Sequence, residues 1–266
     1  MENNRVILSL DVSTKCIGVA IVEDDGTSEP PKIIAMTHKS PKIPKNIKDV
    51  EALFLRKYWF DEGFLKNIYE YTDKKITDVV IEEPLLSSNN VDTVGTLLKF
   101  NGMISDAVYN TLGIKPNFIS SYDARIFSFP QLVTLRKYNK HGNEYPIEHI
   151  KKAIEKNNIV LFGSYPFDID KKNIMMNMVN DLYTGDKAIP WEYNKNGELK
   201  KENYDACDAL VCALSYINVN RYGVEKPTIV DCEINEYSDE YVINYTTSIW
   251  GKNFPKTLRL QNNKVK

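Results

Sequence analysis

Cysteine is scarce and poorly spaced for chemistry. Cys16, Cys207, Cys212 and Cys232 form no CxxC pair and no Cys/His pattern suited to zinc, and four cysteines in 266 residues make no disulfide framework. They read as reduced, small hydrophobes. Long apolar runs are missing too: nothing approaches the ~18 residues of a transmembrane helix, and the opening MENNRVILSL lacks the basic-then-apolar order of a leader. The expectation is a chain without a leader or membrane span, working in a cytoplasmic compartment. Charge of one sign is not in excess, with 34 Lys and Arg against 36 Asp and Glu for a net of −2. Any contact with nucleic acid must therefore come from a local patch. Internal repeats and low-complexity tracts are also lacking.

What is present is a globular composition, 42% hydrophobic and 26% charged, long enough for one large domain or one domain with an appendage. Lysines cluster at 39–48, 151–156, 171–172, 200–201 and 252–266, and most such clusters are solvated surface. Three strands open the chain, Val6 to Val12, Ile17 to Glu23 and Ile33 to Thr37, as two successive antiparallel hairpins. Alternation puts Val6, Leu8, Leu10 and Val12 on one face of the first strand and Ile7, Ser9 and Asp11 on the other. Helix spacing follows over Val50 to Tyr71, interrupted near Gly63, then a short strand Asp78 to Glu82, a loop EPLLSSNN, and a helix from Asn90 to Leu112 stopped by Gly113. Further readings are a strand at Phe118 to Ser120 and helices over Tyr122 to Phe129, Ile147 to Lys156, Lys171 to Tyr183 and Asn203 to Asn218. The segment PWEYNKNGELKK reads as polar and irregular. Residues 221 to 266 shift in composition and read as a C-terminal extension of unknown role, behind a domain of residues 1 to 220 with insertions at about 38–50 and 138–200.

Carboxylates in apolar settings are the informative feature. Asp11 interrupts a strand, Glu82 ends one, and Asp205 and Asp208 open a helix otherwise built from Ala206, Ala209, Leu210, Ala213, Leu214 and Ile217. Taken singly, each has an ordinary explanation: Asp11 starts a turn, and Asp205 meets first-turn amides near an Asn203 cap. Jointly they are more specific. The i, i+3 spacing sets both aspartates on one helical face, and docking that face on the sheet would bring four carboxylates together. Like charges at ~4 to 6 Å disfavour one another's ionisation. Two Mg²⁺ ions roughly 4 Å apart would remove that cost and equip the cluster for phosphodiester cleavage.

These residues resemble the RuvC-like Holliday junction resolvases of the RNase H superfamily. The matching strings are VILSLDVSTKCIGVAIVED, VVIEEPLLSSNN with TVGTLLKFNGMISDAVY, PNFISSYDARI, and WEYNKNGELKKENYDACDALVCAL, in the family's order over roughly residues 5 to 220. The last string is similar to the phage and large-virus branch, for which the compartment would be the host cytoplasm. The resemblance implies an α/β fold, an RNase H-like five-stranded mixed sheet flanked by helices. It also implies metal-dependent hydrolysis leaving 5′-phosphate and 3′-hydroxyl ends. It assigns Asp11 as the metal-bridging carboxylate, completed by Glu82, Asp205 and Asp208, with Glu83 the fallback for Glu82. A lysine near the scissile phosphate would be Lys172 or its neighbour Lys171. The implied cofactor is Mg²⁺, two ions per site with Mn²⁺ in substitution, and no small-molecule cofactor. The implied partners are branched DNA and a second copy in a homodimer, with the Asn90 to Leu112 helix as candidate dimer surface. Phe100, Phe127 and Phe129 are candidates for stacking on unpaired bases. The turn after Asp11, Val12-Ser13-Thr14-Lys15, departs from the glycine or proline common in the family, which bears on cleavage preference.

Alternatives stay open. The opening motif also resembles the first phosphate motif of the sugar kinase, Hsp70 and actin superfamily, but no second glycine-rich loop follows. A flap, fork or RNA/DNA-hybrid nuclease, or a non-catalytic junction-binding or packaging protein, would share the fold.

Overall fold

The computed structural model describes residues 4–26, 30–84, 91–223, 225 and 227–262. It divides into two compact units, Met1–Ala124 with Lys172–Ile217, and Arg125–Lys171 with Asn218–Lys266.

The first unit is built on β1 (Arg5–Val12), β2 (Ile17–Asp24), β3 (Lys32–Lys39), β4 (Asp78–Glu82) and β5 (Asn117–Ile119). They form a mixed five-stranded sheet in the order β3-β2-β1-β4-β5, antiparallel from β3 to β1 and parallel from β1 to β5. This is the α/β architecture expected, down to the two opening hairpins. The alternation in β1 holds: Val6, Leu8, Leu10 and Val12 pack in one core with Val19, Ile21, Val79 and Ile81. Helices α1 (Asp49–Gly63) and α2 (Val91–Leu112) close that face through Leu53, Phe60, Phe100, Ile104 and Val108. Helix α1 gives way at Phe64 to a 3₁₀ turn over Leu65–Glu70, close to the expected interruption at Gly63. Gly113, at φ 70°, ends α2 by donating its amide to the Tyr109 carbonyl, as left-handed glycine commonly does.

Helix α3 (Ser121–Ser128) is capped by Ser120, whose Oγ takes the Asp123 amide and donates to the Asp123 carboxylate. Helix α5 (Lys171–Leu182) precedes the polar stretch expected to be irregular, which is a tight hairpin: Tyr193 bridges Leu199 and Gly197 turns at φ 80°. Helix α6 (Glu202–Tyr222) then lies on the second face of the sheet, where Tyr216 reaches Asp78 of β4 at 2.9 Å and Asn117 of β5 at 3.4 Å.

The second unit joins the hairpin of β6 (Val133–Leu135) and β7 (Ile159–Leu161) and helix α4 (Ile147–Glu155) to a three-stranded meander. The meander is β8 (Thr228–Glu236), β9 (Glu240–Ile249) and β10 (Lys252–Gln261), with β9 central. Leu135, Ile150 and Ala153 share a core with Tyr241, Ile243, Tyr245, Leu258 and Leu260. The β9–β10 loop is two residues, Trp250 and Gly251, at φ 53° and 72°. Both being positive matches the twist a tight hairpin needs. The Trp250 ring stacks on Phe127 at 5.6 Å. Among the described residues, no helix is long and apolar enough to cross a membrane.

Candidate active site

The strand register alone pairs two of the acids. Leu10 is level with Ile81 in the parallel β1–β4 pair and both face the apolar core, so the next residues, Asp11 and Glu82, emerge beside one another on the opposite face. Across the antiparallel pair, Asp11 is level with Gly18. A Cβ on Gly18 would overlap the backbone carbonyl of Asp205 and stand 2.8 Å from the amide nitrogen of Ala206. Glycine is what lets the first turn of α6 lie directly on the sheet here.

From that contact α6 crosses the strands in steps. Asp205 lies at β2, Cys212 sends its thiol toward Glu82 Oε2 at 3.9 Å on β4, and Tyr216 continues to Asp78. Asp208, one turn beyond Asp205, lies on the same line. On the far side of β4, buried Asn101 of α2 donates to the Glu82 carbonyl at 3.3 Å and fixes the strand end.

Three of the acids bear electrostatically on the fourth. The Asp11 carboxyl is pushed well above the usual carboxylate range, first by burial, then by the negative charges of Glu82, Asp208 and Asp205. The Lys172 ammonium pulls it back. That ammonium stands 5.3 Å from the centre of the Tyr204 ring, and the Tyr204 hydroxyl donates to Asn173 at 2.7 Å. Tyr204 thus ties the start of α5 to the start of α6. Nearby, burial pushes the Cys16 thiol up to about 12, with the Asp205 carboxylate adding to the effect and Ser40 opposing it.

Every residue assigned to the site from the sequence, Asp11, Glu82, Asp205, Asp208 and Lys172, is thus in one neighbourhood of the first unit. Glu83 is exposed and past the strand, where its amide bonds the Ile119 carbonyl at 2.8 Å. The loop expected over 83–90 lies outside the described residues from 85 onward. Lys171 falls in the other unit.

Two expectations are corrected. Asn203 does not cap α6: it lies within the helix, buried, and its side-chain amide grips the backbone of Glu192 by bonds of 3.1 and 2.7 Å. The hairpin before α6 is anchored in this way, assisted by the Lys200–Glu192 pair at 2.6 Å. Phe100, Phe127 and Phe129 are 1%, 6% and 2% exposed, so none can stack on a base. Phe100 fills the core under the sheet and Phe127 stacks on Trp250. Sequence reasoning missed Gly18, Asn101 and Tyr204; the small residue level with Asp11 on the paired strand was the one available signal.

The donors fit a hard divalent cation in kind, being all carboxylate oxygen, and the raised Asp11 carboxyl is a group that an added positive charge would ionise. They are not drawn into a closed set: among the described residues, no group of three or more His, Cys, Asp or Glu stands ready to hold a metal ion.

No family model matches the chain, and no curated protein sequence matches it. Solved structures do. RuvC of Thermus thermophilus in complex with a Holliday junction substrate superposes with a TM-score of 0.48 at 10% identity, covering 82% of this chain and 96% of that one. A second structure of T. thermophilus RuvC gives 0.44 at 13% identity with the same coverage. A Ppx/GppA family member from Aquifex aeolicus gives 0.33 at 7% identity, covering 97% of this chain and 51% of that one.

Proposed function

We propose that this chain is a metal-dependent, structure-selective endodeoxyribonuclease that resolves Holliday junctions and other branched DNA by paired nicks. The observation that carries the reading is one half-buried carboxyl at a strand end, Asp11, perturbed at once by Glu82, Asp205, Asp208 and the opposing Lys172. Such a concentration of acids is costly for stability and calls for a compensating function. The sequence resemblance, string by string and in order, supplies the reaction class.

Asp11, Glu82, Asp205 and Asp208 would hold two Mg²⁺ ions, with Mn²⁺ in substitution, which when bound supply an activated water and charge neutralisation at the scissile phosphate. Lys172 provides a fixed positive charge for the developing phosphorane. Tyr204, under that ammonium, limits where it can swing. Gly18 and Asn101 set the positions from which the acids act. The products carry 5′-phosphate and 3′-hydroxyl ends, and the work is done in a cytoplasmic compartment during DNA recombination and repair.

Paired cuts need two sites, and the reading includes a homodimer. The solvent face of α2 suits a helix-to-helix contact, because exposed Val91, Leu98, Gly102 and Tyr109 recur on one side of it.

The test is cleavage of an immobile four-way junction beside linear duplex, flap, fork and RNA/DNA hybrid, in Mg²⁺ or Mn²⁺, for wild type and Asp205→Asn. Paired nicks near the junction that vanish in the variant, with binding kept, are expected. Junction binding without cleavage in either metal overturns the enzyme. Hybrid or flap cutting alone keeps the site and discards the substrate.

A further inference from the structure

The second unit carries a surface that the carboxylate site does not use. Between β6 and the segment after β7 is a cleft of about 200 Å³ lined by Arg136, Lys140 and Lys171 together with Tyr138, Tyr165 and Phe167. The three cations are exposed, and among the described residues none of them is in an ion pair. Lys137 next door is neutralised by Glu144 at 3.0 Å. Asp168 and Asp170 belong to the same segment but do not line the cleft.

The aromatic side is held open by its backbone. Phe162 sits at φ 61°, a left-handed conformation that a bulky residue adopts only when its surroundings fix it. Its buried ring anchors the segment, and its carbonyl takes the Tyr165 amide at 3.1 Å. Gly163 then lies flat on β6. A Cβ there would stand 2.7 Å from the Leu135 carbonyl, and its own carbonyl takes the Lys137 amide at 2.7 Å. Beyond this fixed corner, Tyr165 and Phe167 are 38% and 66% exposed. A phenylalanine that far in water on an anchored segment, facing unpaired cations, has the make-up of a stacking platform beside a phosphate track.

We propose that this cleft binds single-stranded nucleic acid, with Phe167 and Tyr165 stacking on unpaired bases and Arg136, Lys140 and Lys171 following the backbone phosphates. The shared chemistry is an unpaired base joined to a phosphate, as DNA or RNA supplies. The inference stands apart from the nuclease reading, since no carboxylate of that site takes part. It also places stacking aromatics elsewhere than Phe100, Phe127 and Phe129.

The test is fluorescence anisotropy of labelled oligothymidylate and oligouridylate with the full chain carrying Asp11→Asn, in EDTA, so that cleavage plays no part. Phe167→Ala is expected to weaken binding at least about fivefold, the lower end of what one base stack contributes. Phe167→Trp retains it, and the same backbone made abasic binds as weakly as the alanine variant. Arg136→Ala reduces the slope of log affinity against log salt by about 0.7. Tyr237→Ala, which removes another exposed aromatic of the same unit, leaves affinity unchanged. Whichever oligonucleotide binds more tightly identifies the natural strand. Affinity unmoved by Phe167→Ala, or equal for the abasic strand, overturns the proposal, as does binding of neither strand.

Discussion

Gly18 and the backbone of Asp205 occupy space that a single methyl group would contest: the glycine is level with Asp11 on the neighbouring strand, and α6 rests on it at Asp205. Gly18→Ala must therefore lift the first turn of α6 or shift β2. The expected result is a folded protein destabilised by about 1–3 kcal/mol, the usual cost of overpacking, with junction cleavage reduced more than junction binding. Thermal unfolding and cleavage assays on the same preparation check this; unchanged stability would mean that the helix does not rest there.

Asp11 makes a prediction about pH. Its carboxyl is raised in the fold, so the folded protein holds a proton that the unfolded chain has already released, and stability falls as pH climbs above the ordinary carboxylate value of 3.8. Asp11→Asn removes that burden. Without metal, the variant should melt several degrees above wild type at neutral pH, the difference shrinking as the pH is lowered toward that value. Adding Mg²⁺ should raise the wild type and leave the variant little changed. Scanning fluorimetry across a pH series reads all three outcomes.

Lys172 and Tyr204 should separate chemistry from binding. Lys172→Met is expected to lower the cleavage rate by roughly 10²-fold, in line with loss of one electrostatic contact to a transition state, while junction affinity changes by less than about twofold. Tyr204→Phe keeps the ring beneath the ammonium and loses the bond to Asn173, so its effect should be smaller. Equal losses in affinity and rate for Lys172→Met would make it a plain DNA contact.

Cys16 should be chemically silent despite its place beside an acid of the site. With its thiol pushed up to about 12, almost no thiolate exists at pH 8, and alkylation by iodoacetamide should leave Cys16 unmodified in the folded protein and modify it after unfolding. Peptide mapping by mass spectrometry decides it.

Period and register made the first unit readable. β1 alternates apolar and polar from Leu8 to Val12, β4 is a β-branched run ending in an acid, and the DxxD spacing needs only the 3.6 period to share a face. Asp11, Glu82, Asp205 and Asp208 follow from those patterns. Gly18 could not be singled out, because its role depends on which helix residue arrives above it. The three phenylalanines were misjudged because composition does not distinguish a core ring from a surface one, and α2 and α3 bury theirs. In the second unit the helix α4 was legible and the strands were not, for a different reason. Its hairpin strands are three residues each, too short for alternation to register, and its remaining strands come from the far end of the chain.

That last arrangement sets an order of events during synthesis. Leu135, Ile150 and Ala153 leave the ribosome long before Tyr241, Ile243, Leu258 and Leu260, the residues that cover them. Roughly 100 residues separate the end of the first stretch from the last strand, about 5 to 20 s of elongation. Through that interval the apolar side of α4 has only part of its native cover, so the nascent chain offers chaperones a defined target. A message cut short after α6 would leave that target exposed for the lifetime of the product.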